Sequence, residues 1–222
     1  MRLIRIWDLP TRLFHWSLVG CFDGLVITGS VGGNAMVWHF RLGYTVFSLL
    51  LFRLVWGFVG GRWSRFTAFV YRPATLVAFL RGERRPEHTA GHNPLGALSV
   101  LAMLGFLAAQ VGSGLISDDE IAFAGPLTRF VSSATVSLAT TYHKDIGRLV
   151  LFALVVLHIV AILMYRWKKQ ENLVKPMLLG DKAMSDAGQL EPSRDDVRTR
   201  LLAAVVLAAC AWGVSRVVAL GG

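Results

Sequence analysis

The sequence predicts an all-α membrane protein with five transmembrane helices, and three observations carry that expectation. Apolar residues make up 54% of the 222-residue chain and the mean hydropathy is +0.53, above the roughly 45–50% apolar content of soluble domains. The excess falls in five long runs, near Arg12–Val31, Val37–Val59, Pro94–Ile116, Ile146–Tyr165 and Leu201–Leu220, each close to the about 20 residues a helix needs to cross a bilayer core. The basic residues alternate in blocks between the segments that join these runs, which is a topology signal.

The charge pattern orients the chain. Net charge is +9 and the isoelectric point is near 10.3, values that by themselves suit a nucleic-acid binder. The distribution excludes that class. Arg2, Arg5 and Arg12 precede the first run. Arg62, Arg65, Arg72, Arg81, Arg84 and Arg85 lie between the second and third. Arg166, Lys168, Lys169, Lys175, Lys182, Arg194, Arg198 and Arg200 lie between the fourth and fifth. The opposite side carries only Arg129, Lys144 and Arg216. The expected topology is a multi-pass protein of the bacterial inner membrane, N-terminus cytoplasmic and C-terminus periplasmic.

The elements follow in order. Met1–Thr11 reads as an amphipathic lead-in with Trp7 at the interface. No cleavable signal peptide is expected, because the first run is long and has Asp, His and Trp nearby. The Gly-rich turn Gly29–Asn34 makes the first two helices a tight hairpin. Gly60–Asn93 is a basic loop in which Ala74–Arg81 suits a short interfacial helix behind Pro73. The outer segment Ser117–Tyr142 begins with Asp118-Asp119-Glu120, and Leu127–Thr141 is expected to form a helix on the outer face. Lys168–Thr199 is a charged connection. Cys21 and Cys210 read as small buried apolar residues, and the lack of C-x-x-C-H excludes covalent haem attachment.

The six histidines carry the chemistry. His88 and His92 fall in the basic loop and read as surface residues, with a quinone-site role open for His92. The other four lie in or at the ends of the predicted spans, where polar groups are costly and by default functional. Depth pairs them: His39 with His143 near the outer side, His15 with His158 near the inner side. Fifteen residues separate His143 from His158, about 22 Å of rise and about 60° of rotation in an α-helix, so both are expected on one face. Each pair supplies two axial nitrogens for one iron, and bis-His ligation closes both axial positions, favouring electron transfer. Copper or zinc is the alternative for imidazole, though two His alone make a poor zinc site. Gly43 and Gly147 follow the outer ligands at i+4, where a missing side chain leaves room for a macrocycle; ordinary helix packing is the other reading. Arg41 and Arg148 are candidates for haem propionates, or for snorkelling to the interface. Asp23, mid-way along the first helix, is expected to be protonated or paired, with Arg53 its nearest partner by depth. Gln110 reads as an interhelical hydrogen-bond partner.

These residues sit in recognisable strings: Trp7-Asp8-Leu9-Pro10-Thr11-Arg12 with Phe14-His15-Trp16; His39-Phe40-Arg41-Leu42-Gly43-Tyr44; Phe52-Arg53-Leu54-Val55-Trp56-Gly57; Gly91-His92-Asn93-Pro94-Leu95-Gly96; His143 with Gly147; Leu157-His158; and Glu171-Asn172-Leu173-Val174. In these, over roughly residues 3–183, the chain resembles the prokaryotic cytochrome b561 family, which includes the membrane cytochrome b subunits of nickel-iron hydrogenases. The resemblance implies a four-helix transmembrane haem-binding bundle over residues 1–183. Residues 184–222 then add a cytoplasmic linker and a fifth helix. It implies two haem b groups on His15, His39, His143 and His158, with quinone as an exchangeable substrate. The leading expectation is a respiratory-chain electron-transfer subunit, with activity as a quinone-linked oxidoreductase left open. It would connect the quinone pool with an outer-face partner: a periplasmic c-type cytochrome, another oxidoreductase or a hydrogenase subunit. Membrane lipid and a second copy of the chain are further candidate partners. A membrane anchor or assembly subunit of a dehydrogenase or hydrogenase complex is the alternative, and an ion transporter the third reading. Asp23 departs from the family pattern.

Overall fold

The computed structural model describes residues 2–83, 85, 87–184 and 190–221; Arg84, counted above among the basic residues, lies outside them. Strand β1 (Arg2–Arg5) opens the chain. Helix α1 (Leu9–Val31) follows, then a short 3-10 turn, then α2 (Met36–Val59). The short helices α3 (Pro73–Leu80) and α4 (Glu87–Ala90) precede α5 (Pro94–Leu115). Helix α6 (Ser133–Thr141) passes through a π-helical turn, Tyr142–Gly147, into α7 (Arg148–Lys168). Helix α8 (Val174–Leu179), strand β2 (Asp181–Met184) and α9 (Val197–Val218) complete the order. Five stretches are long and apolar enough to cross a membrane: Leu9–Val31, Gly33–Val59, Pro94–Leu115, Ser133–Lys168 and Val197–Gly221. The chain is an all-α membrane protein apart from the small sheet.

The residues group into two compact units. The first takes Met1–Phe14, Arg53–Ala102 and Val155–Ala204; the second takes His15–Phe52, Met103–Leu154 and Val205–Gly222.

In the first unit the expected amphipathic lead-in is instead a strand. β1 pairs antiparallel with β2, Arg2 opposite Met184 and Arg5 opposite Asp181. The amides of Ile6 and Trp7 both donate to the Gly180 carbonyl, at 2.9 and 3.1 Å. Gly180 has φ +94° and ends α8, a left-handed position that glycine adopts without strain. Trp7 is buried with Ile4, Ile6, Trp63, Ala90 and Met184, so it is a core residue here and not an interface anchor. The charged connection before α9 is also tied down. Ser193 donates its amide to the Arg5 carbonyl at 2.8 Å and its hydroxyl to the Ile6 carbonyl at 2.7 Å. Asp195 sits 2.8 Å from Arg5 and 3.1 Å from Arg200.

Asp8 organises this unit. It is fully buried and caps α1, accepting from the Thr11 amide at 2.8 Å, as an N-terminal cap should. The same carboxylate accepts from the Gly61 amide at 2.9 Å, Ser64 Oγ at 3.0 Å and Trp56 Nε1 at 3.3 Å. A Cβ at Gly61 would collide with Asp8 Oδ2, so this approach requires glycine. Arg53 is buried beside the network, its guanidinium over the rings of Phe66 and Phe69 at 5.0 and 5.6 Å, with Asp8 its electrostatic partner. Asp23, expected to be protonated or paired, is exposed and has no hydrogen bond or ion pair among the described residues.

His88 and His92 are also not surface groups. His88 is buried against Tyr71 and Phe79, and His92 lies between Trp7 and Phe69, ring centres 4.8 and 4.9 Å away.

In the second unit, Val46, Leu107 and Leu151 form an apolar core with Leu18, Cys21, Phe22, Leu25, Leu50 and Val111 packed around it. Gly32 and Gly33, at φ +67° and +53°, let the chain reverse between α1 and α2 in very few residues. The segment after α5 is more ordered than a loop. Asp119 Oδ1 accepts from the amides of Ile121, Ala122 and Phe123 at 2.9–3.0 Å. Ser132 then caps α6 through the Thr135 amide at 3.2 Å. The helix expected to lie on the outer face is therefore the first stretch of the same helical run that carries the fourth span.

Candidate functional site

The second unit contains a cavity of about 520 Å³ lined by residues of α1, α2, α5, the Ser117–Phe123 segment and the π turn. His39 and His143 both line it. Their ring centres are 6.1 Å apart and the planes cross at 82°.

Each ring is held in the same way by a neighbouring helix. His39 Nδ1 is 3.1 Å from the Leu25 carbonyl of α1 and 3.3 Å from Thr28 Oγ1. His143 Nδ1 is 2.9 Å from the Gln110 carbonyl of α5 and 3.4 Å from Ser113 Oγ. A carbonyl only accepts, so Nδ1 carries the proton in both rings and Nε2 keeps its lone pair. A ring with one nitrogen anchored and the other bare is a prepared metal ligand. Glycine completes each seat. A Cβ at Gly29 would stand 3.1 Å from His39 Cε1, and one at Gly114 would stand 2.8 Å from His143 Cε1. The two seats share one spacing: Leu25, Thr28, Gly29 on α1 and Gln110, Ser113, Gly114 on α5.

The π turn presents His143. Wide helical turns of this kind occur mostly at functional sites. It also interrupts the helix, so the 100° per residue count used above to place His143 and His158 on one face applies only to the α-helical part. Gln110 does more than bridge helices: its carbonyl anchors the His143 ring and its Nε2 donates to the His143 carbonyl at 2.9 Å.

The other expected site residues are placed as follows. Gly43 lines the cavity, and a Cβ there would meet nothing within 4 Å. Arg148 lines the cavity as well. Gly147 does not; a Cβ there would strike Gln110 Oε1 and the Tyr142 ring, so its missing side chain admits Gln110. Arg41 stands over Trp38 at 4.9 Å and is not among the lining residues. His15 is half-buried beside Trp16, ring centres 5.0 Å apart. His158 is half-buried on α7. These two fall in different units.

This site fits a haem by the chemistry of its donors. Two imidazoles on opposite sides of one metal ion need ring centres about 6 Å apart, given metal–nitrogen bonds of about 2 Å. The observed separation matches, and the cavity opens beside Gly43. Among the described residues no group of three or more His, Cys, Asp or Glu is arranged to hold a bare metal ion.

Fold and site define a multi-span membrane protein with paired, pre-oriented imidazoles. A model of the prokaryotic cytochrome b561 family matches residues 6–180, and the chain belongs to that family. That family is one of membrane b-type cytochromes. Its relatives include the Escherichia coli K12 protein named probable Ni/Fe-hydrogenase 1 B-type cytochrome subunit, 30% identical over 132 residues, 48% of this chain. The match spans 55% of that relative's length. The Bradyrhizobium diazoefficiens protein named probable Ni/Fe-hydrogenase B-type cytochrome subunit is 24% identical, over 82% of this chain and 87% of its own. An Azotobacter vinelandii protein of the same name is 26% identical, over 82% and 90%. No solved structure matches the chain.

Proposed function

We propose that the chain holds two haem b groups and passes electrons across the bacterial inner membrane. One haem sits between His39 and His143, the other between His15 and His158. The first assignment rests on one observation: two imidazoles 6.1 Å apart, each anchored through Nδ1, beside a common cavity. The inner pair rests on the depths read from the sequence. When bound, haem b supplies a reversible one-electron couple. His39, His143, His15 and His158 would hold the iron through imidazole, with carbonyl partners orienting the rings of His39 and His143 and apolar helices around them. Arg148, which lines the cavity, would pair with a propionate.

The electron path runs between the quinone pool and a redox partner on the outer face. Relatives named as hydrogenase cytochrome subunits favour a hydrogenase subunit as that partner. The N-terminus is cytoplasmic and the C-terminus periplasmic. Single substitutions test the ligand pairs. His39→Ala and His143→Ala should each remove the same haem, leaving about half the haem per chain. His15→Ala and His158→Ala should remove the other. Loss of one common haem by His15→Ala and His143→Ala would overturn the pairing.

A further inference from the structure

The first unit contains a second cavity of about 520 Å³, where α2 ends and α9 begins. Four guanidinium groups line it, Arg62, Arg65, Arg194 and Arg198, against two carboxylates, Glu191 and Asp196. Both carboxylates are already engaged. Glu191 is 2.6 Å from Arg62. Asp196 accepts from the Thr199 amide at 2.8 Å and from Thr199 Oγ1 at 2.7 Å. Arg65 spends its Nε on the Gly60 carbonyl at 2.8 Å and keeps its terminal nitrogens. Arg194 and Arg198 are exposed and make no hydrogen bond or ion pair among the described residues. The cavity therefore carries an excess of positive charge with free, forked donors, the geometry that takes phosphate oxygens in pairs.

Its other wall is apolar. Val59, at the end of one candidate span, and Leu202, in the first turns of another, both line it. A pocket lined both by arginines and by residues at the ends of apolar helices can meet a headgroup and the start of an acyl chain together. Basic pockets between membrane helices hold anionic lipids in this way. Seven of the twelve lining residues, Glu191 to Leu202, lie beyond the family match at residues 6–180.

We infer that this cavity is a binding site for the phosphate headgroup of an anionic phospholipid, which clamps α9 to the end of α2. The test is native mass spectrometry of the purified haem-loaded protein in detergent, titrated with phosphatidylglycerol, phosphatidylcholine or inorganic phosphate. Wild type should retain phosphatidylglycerol and not phosphatidylcholine, and inorganic phosphate should not displace the lipid. Arg194→Gln with Arg198→Gln should weaken retention about thirtyfold, at roughly fivefold per arginine near a lipid phosphate. Arg194→Lys with Arg198→Lys should restore part of it. Arg166→Gln with Lys168→Gln, equally basic but outside the cavity, should change nothing. Equal retention by wild type and the Arg194/Arg198 variant would overturn the site. So would equal losses in both charge-removal pairs, which would mean general surface attraction. Displacement of the lipid by inorganic phosphate would overturn the lipid assignment in favour of a soluble anion.

Discussion

At His39 and His143 the controlling contacts are made by residues that look unremarkable in the sequence. Leu25 and Gln110 act through their backbone carbonyls, and Gly29 and Gly114 act by having no side chain. That makes a sharp prediction. Gly114→Ala places a methyl 2.8 Å from His143 Cε1, and the ring must tilt off its carbonyl anchor. Overpacking of this kind costs about 1–3 kcal/mol. The expected result is an altered midpoint potential and altered low-temperature spectrum of one haem, with the other unchanged. Gly20→Ala, where nothing lies within 4 Å, is the control and should leave both haems as they are. Gly43 and Gly147 separate the two readings of the i+4 glycines. A bulky Gly43→Leu should lower haem content by filling open space. Gly147→Ala should act by displacing Gln110, seen as reduced protein stability before any change in haem stoichiometry in the surviving fraction.

Two elements owe their shape to single carboxylates. Asp8 starts α1 and also receives the turn that follows α2, with the buried charge of Arg53 beside it. Asp8→Ala leaves that charge and four donors without their acceptor. The expected cost is about 3–5 kcal/mol, the penalty of uncovering one member of a buried pair. A thermal inactivation series should show Asp8→Ala well below Asp8→Asn, which still accepts hydrogen bonds; equal behaviour would remove the charge argument. Asp119 shapes the Ile121–Phe123 turn. The amides of Phe123, Ala122 and Ile121, then the charge of Lys144, hold its carboxyl below the usual carboxylate range, against a small opposing effect of desolvation. A depressed folded-state value contributes stability that is complete above the unfolded value, about pH 4, and is lost as pH falls through the folded value. Amide-exchange protection at Ile121–Phe123, measured against the intrinsic rate at each pH, should therefore be high at neutral pH and fall only in acid.

At the scale of the whole molecule, the N-terminal strand is tied to the segment just before α9. Ser193 and Asp195 bond to the Arg5–Leu9 stretch, so removing everything after Met184 should loosen the N-terminal strand as well as delete α9. Protease access at Arg5 would report it; an unchanged digestion pattern would show that β1–β2 pairing alone is sufficient. Reporter fusions at the C-terminus should be active only on the periplasmic side. Five spans, their order and the four intramembrane histidines were all legible in the sequence. Length, hydropathy and depth are local properties of a chain that must cross a lipid layer, and the layer imposes them regardless of packing. The strand at Arg2–Arg5 was not legible, since its partner lies at Asp181–Met184 and four residues have no period to read. Nor was the role of Asp8, whose donors come from residues 11, 56, 61 and 64. The seats of His39 and His143 were hidden for the same reason: they are made of main-chain carbonyls and absent side chains, which leave no mark on composition. The sequence by itself determined that this is a multi-span membrane cytochrome and which imidazoles it keeps in the bilayer. Only the tertiary structure decided which nitrogen of His39 and of His143 is free, because tautomer and ring orientation are set by groups that become neighbours when helices pack.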